Sequence, residues 1–179
     1  MKRIYISVVL LALVACGDSK SKQQTVEVSQ QETAHKTEAY SSEERNAAFK
    51  NPEVAQVYDD YNLLKTALVN TDAEAAKNAA QVMLKNSEAS TLELGFVKAI
   101  QAIADEDDVN IQREHFEAVT VGVKDLVEEN IVSGTLYYQY CPMAFDGKGA
   151  YWISNEEKIY NPYFGDVMLN CGTVDAEIN

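Results

Sequence analysis

Pro52-Glu53-Val54-Ala55-Gln56-Val57-Tyr58-Asp59-Asp60-Tyr61-Asn62-Leu63-Leu64-Lys65-Thr66-Ala67-Leu68 is the stretch that decides the fold. Val54, Val57, Tyr58, Tyr61, Leu64 and Leu68 recur every three or four positions, the period at which one side of an α-helix meets a core. Pro52 suits a first helical turn, where a missing N–H is no loss. The same period continues downstream. Thr71-Asp72-Ala73-Glu74 reads as a capping box, opening a second helix that carries Ala76, Ala79, Ala80, Met83 and Leu84. Ser90-Thr91-Leu92-Glu93 repeats the signal ahead of a third, with Leu94, Val97, Ile100 and Ala104 facing inward. A fourth is predicted over 109–130 through Ile111, Phe116, Val119, Val123 and Leu126. Short polar connections favour antiparallel neighbours, so the predicted class is mainly α, an up-and-down four-helix bundle.

After Gly134 the texture changes. Residues 136–140 are aromatic-rich and suit a strand, Gly147-Lys148-Gly149 suits a turn, and 150–154 suits the returning strand of a small C-terminal β-hairpin. Asn161-Pro162-Tyr163-Phe164-Gly165 reads as a turn, and 166–171 as a final short helical turn. Tyr137, Tyr138, Tyr140, Tyr151, Tyr160 and Tyr163 fall in this region with Trp152. They serve either to pack the hairpin on the bundle or to keep a site dry.

Upstream, Met1-Lys2-Arg3 is a short positive region and residues 4–14 are apolar except for Ser7. A bilayer span needs about 20 apolar residues, so residues 1–15 read as a secretory signal. Leu13-Val14-Ala15-Cys16 resembles a bacterial lipobox, which implies that Cys16 is lipidated and that the chain is held in the cell envelope, on the periplasmic side or at the outer membrane. Residues 16–50 are rich in Ser, Gln, Thr, Glu and Lys, and read as the lipidated Cys followed by a disordered tether. His35 lies in it as a solvated residue. The folded domain is set at 51–179. Losing residues 1–15 removes Lys2 and Arg3 and no acid, moving the formal charge from -13 to -15. Phosphate backbones repel such a chain, so nucleic acid is not an expected partner.

With Cys16 lipidated, two thiols remain. Cys141-Pro142-Met143 and Met168-Leu169-Asn170-Cys171 are soft-donor pairs in mirror order. Two thiols and two thioethers on one ion favour Cu(I), because soft sulfur suits a soft cation. His115, in Arg113-Glu114-His115-Phe116, is a candidate further donor. The same cysteines could instead form a disulfide in an oxidising compartment, closing a loop that contributes about 3–4 kcal/mol. The residues alone leave both fates open.

A resemblance bears on that choice. The string 136–144, then Trp152-Ile153-Ser154, then 159–165 with Met168 and Cys171-Gly172, resembles an uncharacterised domain family of Gram-negative envelope lipoproteins. Similar domains are fused to periplasmic adaptor subunits of heavy-metal efflux systems, and the resemblance extends from about Tyr58 to Val174. It implies copper or related soft-metal handling, with an efflux adaptor as partner. Tyr138-Gln139-Tyr140-Cys141-Pro142-Met143 also resembles the heavy-metal-binding motif Tyr-x-Cys-Pro-Met-His. Ala144 stands in place of its histidine, which disfavours harder ions such as Zn(II) and leaves a sulfur-only site.

No Gly-rich phosphate loop, serine nucleophile motif or His pair at metal-ligand spacing is present, so an enzyme is not expected. The acid pairs Glu128-Glu129, Glu156-Glu157 and Asp107-Asp108 read as solvated, and the run 105–108 as an N-capping loop. Two functions follow. One is a lipid-anchored envelope protein that captures, buffers or hands over Cu(I). The other is a non-catalytic periplasmic interaction module stapled by a Cys141–Cys171 disulfide.

Overall fold

The computed structural model of the protein describes residues 38–87 and 94–179, a mainly helical body with small antiparallel sheets. The expectations placed on residues 1–37, which include the signal, lipidated Cys16, His35 and most of the tether, lie outside the described residues. So does the capping signal at 90–93. Among the described residues no helix is long and apolar enough to cross a membrane.

Helix α1 (Pro52–Val69) opens on its proline and buries all six residues of the apolar stripe. It ends in a tight turn in which Thr71 takes a left-handed φ of 56°. Asp72, one residue after the predicted cap, opens α2 (Ala73–Ser87) by accepting the Ala75 N–H at 2.9 Å. The Thr71 hydroxyl is otherwise engaged, accepting from Arg113 Nη2 at 3.1 Å. In α3 (Leu94–Asp105) the inward stripe is Phe96, Ala99, Ile100 and Ile103, while Leu94 is 69% exposed. Leu94 and Phe96 are two positions apart, on opposite sides of a helix, and the larger ring takes the core. Phe96 packs against Gly122, where a Cβ would come within 2.4 Å of the ring.

Helix α4 (Val109–Asn130) has the predicted bounds because Asp108 caps it, accepting from Asn110 N at 2.8 Å. The acidic run thus acts as a cap. Ile111, predicted inward, is exposed, because Gln112 and Arg113 turn to the core. Gln112 Nε2 donates to the carbonyls of Ala73 and Glu106 at 3.0 and 2.7 Å. Consecutive helices pack on one another, and α4 packs back on α1.

The chain before α1 departs from the expected tether. Asn70 clamps the backbone of Tyr40 from both sides, accepting from its N at 2.8 Å and donating to its O at 2.9 Å. Arg45 grips both oxygens of Asp59 at 2.8 and 3.1 Å, and Ala47 is buried. Strand β1 (Ala48–Phe49) then pairs with β2 (Ile131–Ser133). The folded body therefore begins near Tyr40 rather than at residue 51.

Beneath this segment sits an ion pair. Lys65 of α1 is fully buried, and its ammonium reaches Tyr40 Oη at 2.8 Å, Ser154 Oγ at 3.0 Å and Glu156 Oε1 at 3.3 Å. Glu156 is buried too, against the solvated expectation, because donors surround it. Tyr40 Oη donates to Oε1, and Ser42 Oγ and Glu43 N donate to Oε2 at 3.2 and 3.3 Å. Burial pushes the Lys65 pKa down to about 8, against the pull of Glu156. Burial alone would raise the Glu156 carboxyl, but Lys65 and the hydrogen bonds outweigh it and hold the pKa below its ordinary value.

The C-terminal sheet has three strands in the order β4-β3-β5: β3 (Leu136–Cys141), β4 (Ala150–Ser154) and β5 (Thr173–Ile178), with both neighbours antiparallel to β3. β5 was not expected, and the predicted final helical turn shrinks to a 3-10 turn at Gly165–Val167. On the outer edge of β4, Tyr61 Oη accepts the Ile153 N–H at 2.9 Å and contacts Thr120 Oγ1 at 3.0 Å, while Tyr163 Oη donates to the Tyr151 carbonyl. Tyr61 also stacks on Phe116 with centroids 5.2 Å apart, which locks the sheet to α1 and α4.

Glu156→Gln leaves Lys65 buried without a counter-charge, and urea unfolding should show a loss of about 3–5 kcal/mol. The stability that Glu156 provides is present above its ordinary pKa of 4.5 and is lost as pH falls through its lower folded value. An acid titration of stability should therefore show a component in the wild type that Glu156→Gln lacks.

Candidate functional site

Strand β3 ends at Cys141, and its partner β5 starts two residues after Cys171, with Tyr140 opposite Thr173. That register brings the two cysteines together. Their Sγ atoms lie 3.1 Å apart as free thiols, Cys141 fully buried and Cys171 partly exposed. A disulfide would need about 2.05 Å. Two thiolates on one tetrahedral metal, with bonds of about 2.3 Å, stand about 3.8 Å apart. A small rotation of one side chain reaches either. The hydrogen bond to Cys141, with some burial, raises the Cys171 pKa above its ordinary value.

Three residues hold Cys171 in place. Asn161, fully buried, donates from Nδ2 to the Cys171 carbonyl at 2.7 Å. Its backbone N–H reaches the Leu169 carbonyl at 2.8 Å, and its Oδ1 accepts from Tyr163 N and Phe164 N, so one side chain closes the loop 159–171. Gly172 has φ +146°, and a Cβ there would come within 2.8 Å of the Tyr140 carbonyl and 2.9 Å of Trp152. Only glycine permits that close approach. Arg113 anchors the far side of the loop, with Nε on the Pro162 carbonyl at 2.7 Å and Nη2 on the Leu68 carbonyl at 3.0 Å. The sequence marked 161–165 only as a turn. An asparagine before proline signals a turn but not which carbonyl ten residues on it will bind.

The remaining candidate donors are distributed unequally. Met168 belongs to the Cys171 turn, its carbonyl accepting the Cys171 N–H at 3.0 Å, and its side chain is partly exposed. Met143 follows Cys141 but is 55% exposed. His115 is partly exposed on α4. Among the described residues no three His, Cys, Asp or Glu side chains are grouped to hold a metal ion. Cys16 lies outside the described residues.

Residues 57–134 match the model of a family described as a protein of unknown function (DUF3347). The match begins at Val57 within α1, runs through α4 and β2 and stops before β3, so Cys141 and Cys171 fall outside it. No curated protein and no solved structure matches the chain.

Cys141→Ala removes the hydrogen bond that raises the Cys171 thiol. In the reduced protein, iodoacetamide should then modify Cys171 at a lower pH than in the wild type, as followed by mass spectrometry across a pH series. Identical profiles would mean that the two thiols do not interact in solution.

Proposed function

We propose that this is a non-catalytic envelope protein, lipid-anchored through Cys16, whose Cys141–Cys171 dithiol captures a soft metal ion, Cu(I) above others, for buffering or for handover to a heavy-metal efflux adaptor. The observation that carries the reading is the 3.1 Å approach of two free thiols, one of them open to solvent. Soft-donor chemistry, the lipobox and the resemblance of the string 136–172 to envelope lipoprotein domains support it.

In this reading the helices form an up-and-down bundle that acts as a rigid stand for the hairpin and the thiol loop. Cys141 and Cys171 are the primary ligands. Met168, in the same turn as Cys171, completes the coordination, and Met143 joins if its turn closes over the ion. Each thiol gives up its proton on loading, so affinity rises with pH and binding releases acid. The cation is cargo, and its entry is from the Cys171 side.

The same separation favours a second reading, a structural disulfide between Cys141 and Cys171 in a non-catalytic interaction module. Closing the gap to disulfide length requires about 1 Å of sulfur movement.

Titration of the anaerobic, reduced protein with Cu(I) against a competing chelator separates them. The expected result is one ion per chain, lost in Cys141→Ser and in Cys171→Ser, weakened about tenfold, or about 1.4 kcal/mol, in Met168→Leu, and unchanged in His115→Ala. Unchanged affinity in both cysteine variants would remove the metal reading. A disulfide that survives mild reductant in protein isolated from the envelope would favour the staple.

A further inference from the structure

The two sulfurs are unequal in a way that metal binding does not require. Cys171 is partly exposed in a turn, whereas Cys141 is fully buried at the end of β3, 3.1 Å behind it. Thiol–disulfide exchange has two roles that match this asymmetry: an accessible sulfur that forms the mixed disulfide, and a second within reach that resolves it. The Asn161 hydrogen bond and the Gly172 approach to Tyr140 and Trp152 keep the two at that separation.

We propose that the pair is an exchange-active dithiol in which Cys171 attacks an incoming small-molecule or protein disulfide and Cys141 resolves the adduct. The Cys171 thiolate attacks one sulfur of R–S–S–R′, forming Cys171–S–S–R and releasing R′–S⁻, which takes up the proton Cys171 has lost. The Cys141 thiolate then attacks the Cys171 sulfur, forming the Cys141–Cys171 bond and releasing R–S⁻, which takes the Cys141 proton. The incoming disulfide gains two electrons, and the protein dithiol loses two. Resting on the metal reading, a consequence for regulation follows: the oxidised pair has no thiolate to offer, so exchange gates capture of the ion.

Glutathione disulfide serves as the probe, with mass spectrometry of quenched, unfolded samples as the readout. The wild type should lose two hydrogens and carry no lasting glutathione. Cys141→Ser and Cys141→Ala should accumulate one glutathione on Cys171, and Cys171→Ser should remain unmodified at Cys141 under the same conditions, with circular dichroism showing that each variant is folded. Modification of Cys141 in Cys171→Ser at the rate seen for Cys171, or a glutathione adduct that persists in the wild type, would overturn the assigned order. None of these readouts involves copper, so this proposal and the metal reading fail separately. Adding Cu(I) to the oxidised wild type tests the gate, which predicts no binding until a reductant is supplied.

Discussion

A charge pair with no access to water organises the centre of this molecule. Lys65 comes from the C-terminal third of α1, where an apolar residue would have been simpler, and Glu156 from the segment just past β4. Desolvating both is tolerable only if their remaining hydrogen-bonding capacity is filled. Ser154, Tyr40, Ser42 and the Glu43 N–H fill it. The first helix, the end of the sheet and the segment ahead of the helix are therefore fixed by one requirement, and each would leave a buried charge exposed to a poor partner if it moved.

From that anchor the positions of the thiols follow through a short series of polar contacts. Arg113 joins α4 to the α1–α2 turn and to Pro162. Asn161 closes the loop that begins there, and Gly172 lets the chain lie against β3. None of these contacts involves sulfur. The thiol pair is positioned by backbone held elsewhere: Arg113 lies in the stretch carrying the family match, whereas Asn161, Gly172 and the reactive atoms lie beyond it.

Much of the helical part was legible because its signals are local. The α4 bounds follow from Asp108 and an apolar period read as far as Leu126, although Val127 rather than Leu126 is the residue fully buried there, and the α1 stripe is buried as spaced. Where local rules failed, a competing contact prevailed: Arg113 claimed Thr71, and Phe96 displaced Leu94 from the core. β5 was missed although Thr173-Val174-Asp175-Ala176-Glu177-Ile178 alternates polar and apolar residues, because the run is short and the fold buries only Ile178 of it. The segment around Tyr40 was read as tether because its docking is polar, made through side chains to residues far along the chain. The cysteine pair could be named from the sequence, whereas its separation could not, since that depends on Asn161 and the β3–β5 register.

Both margins of the C-terminal sheet are closed, each by a different device. On β4 the outward N–H of Ile153 and carbonyl of Tyr151 are taken by the phenols of Tyr61 and Tyr163. On β5 the shift in register leaves Asp175 as an extra residue, and Glu177 adds a second negative charge to the same margin. An identical strand approaching there would meet like charge and a broken ladder. This sheet thus offers a poor template for an identical strand from another copy to extend.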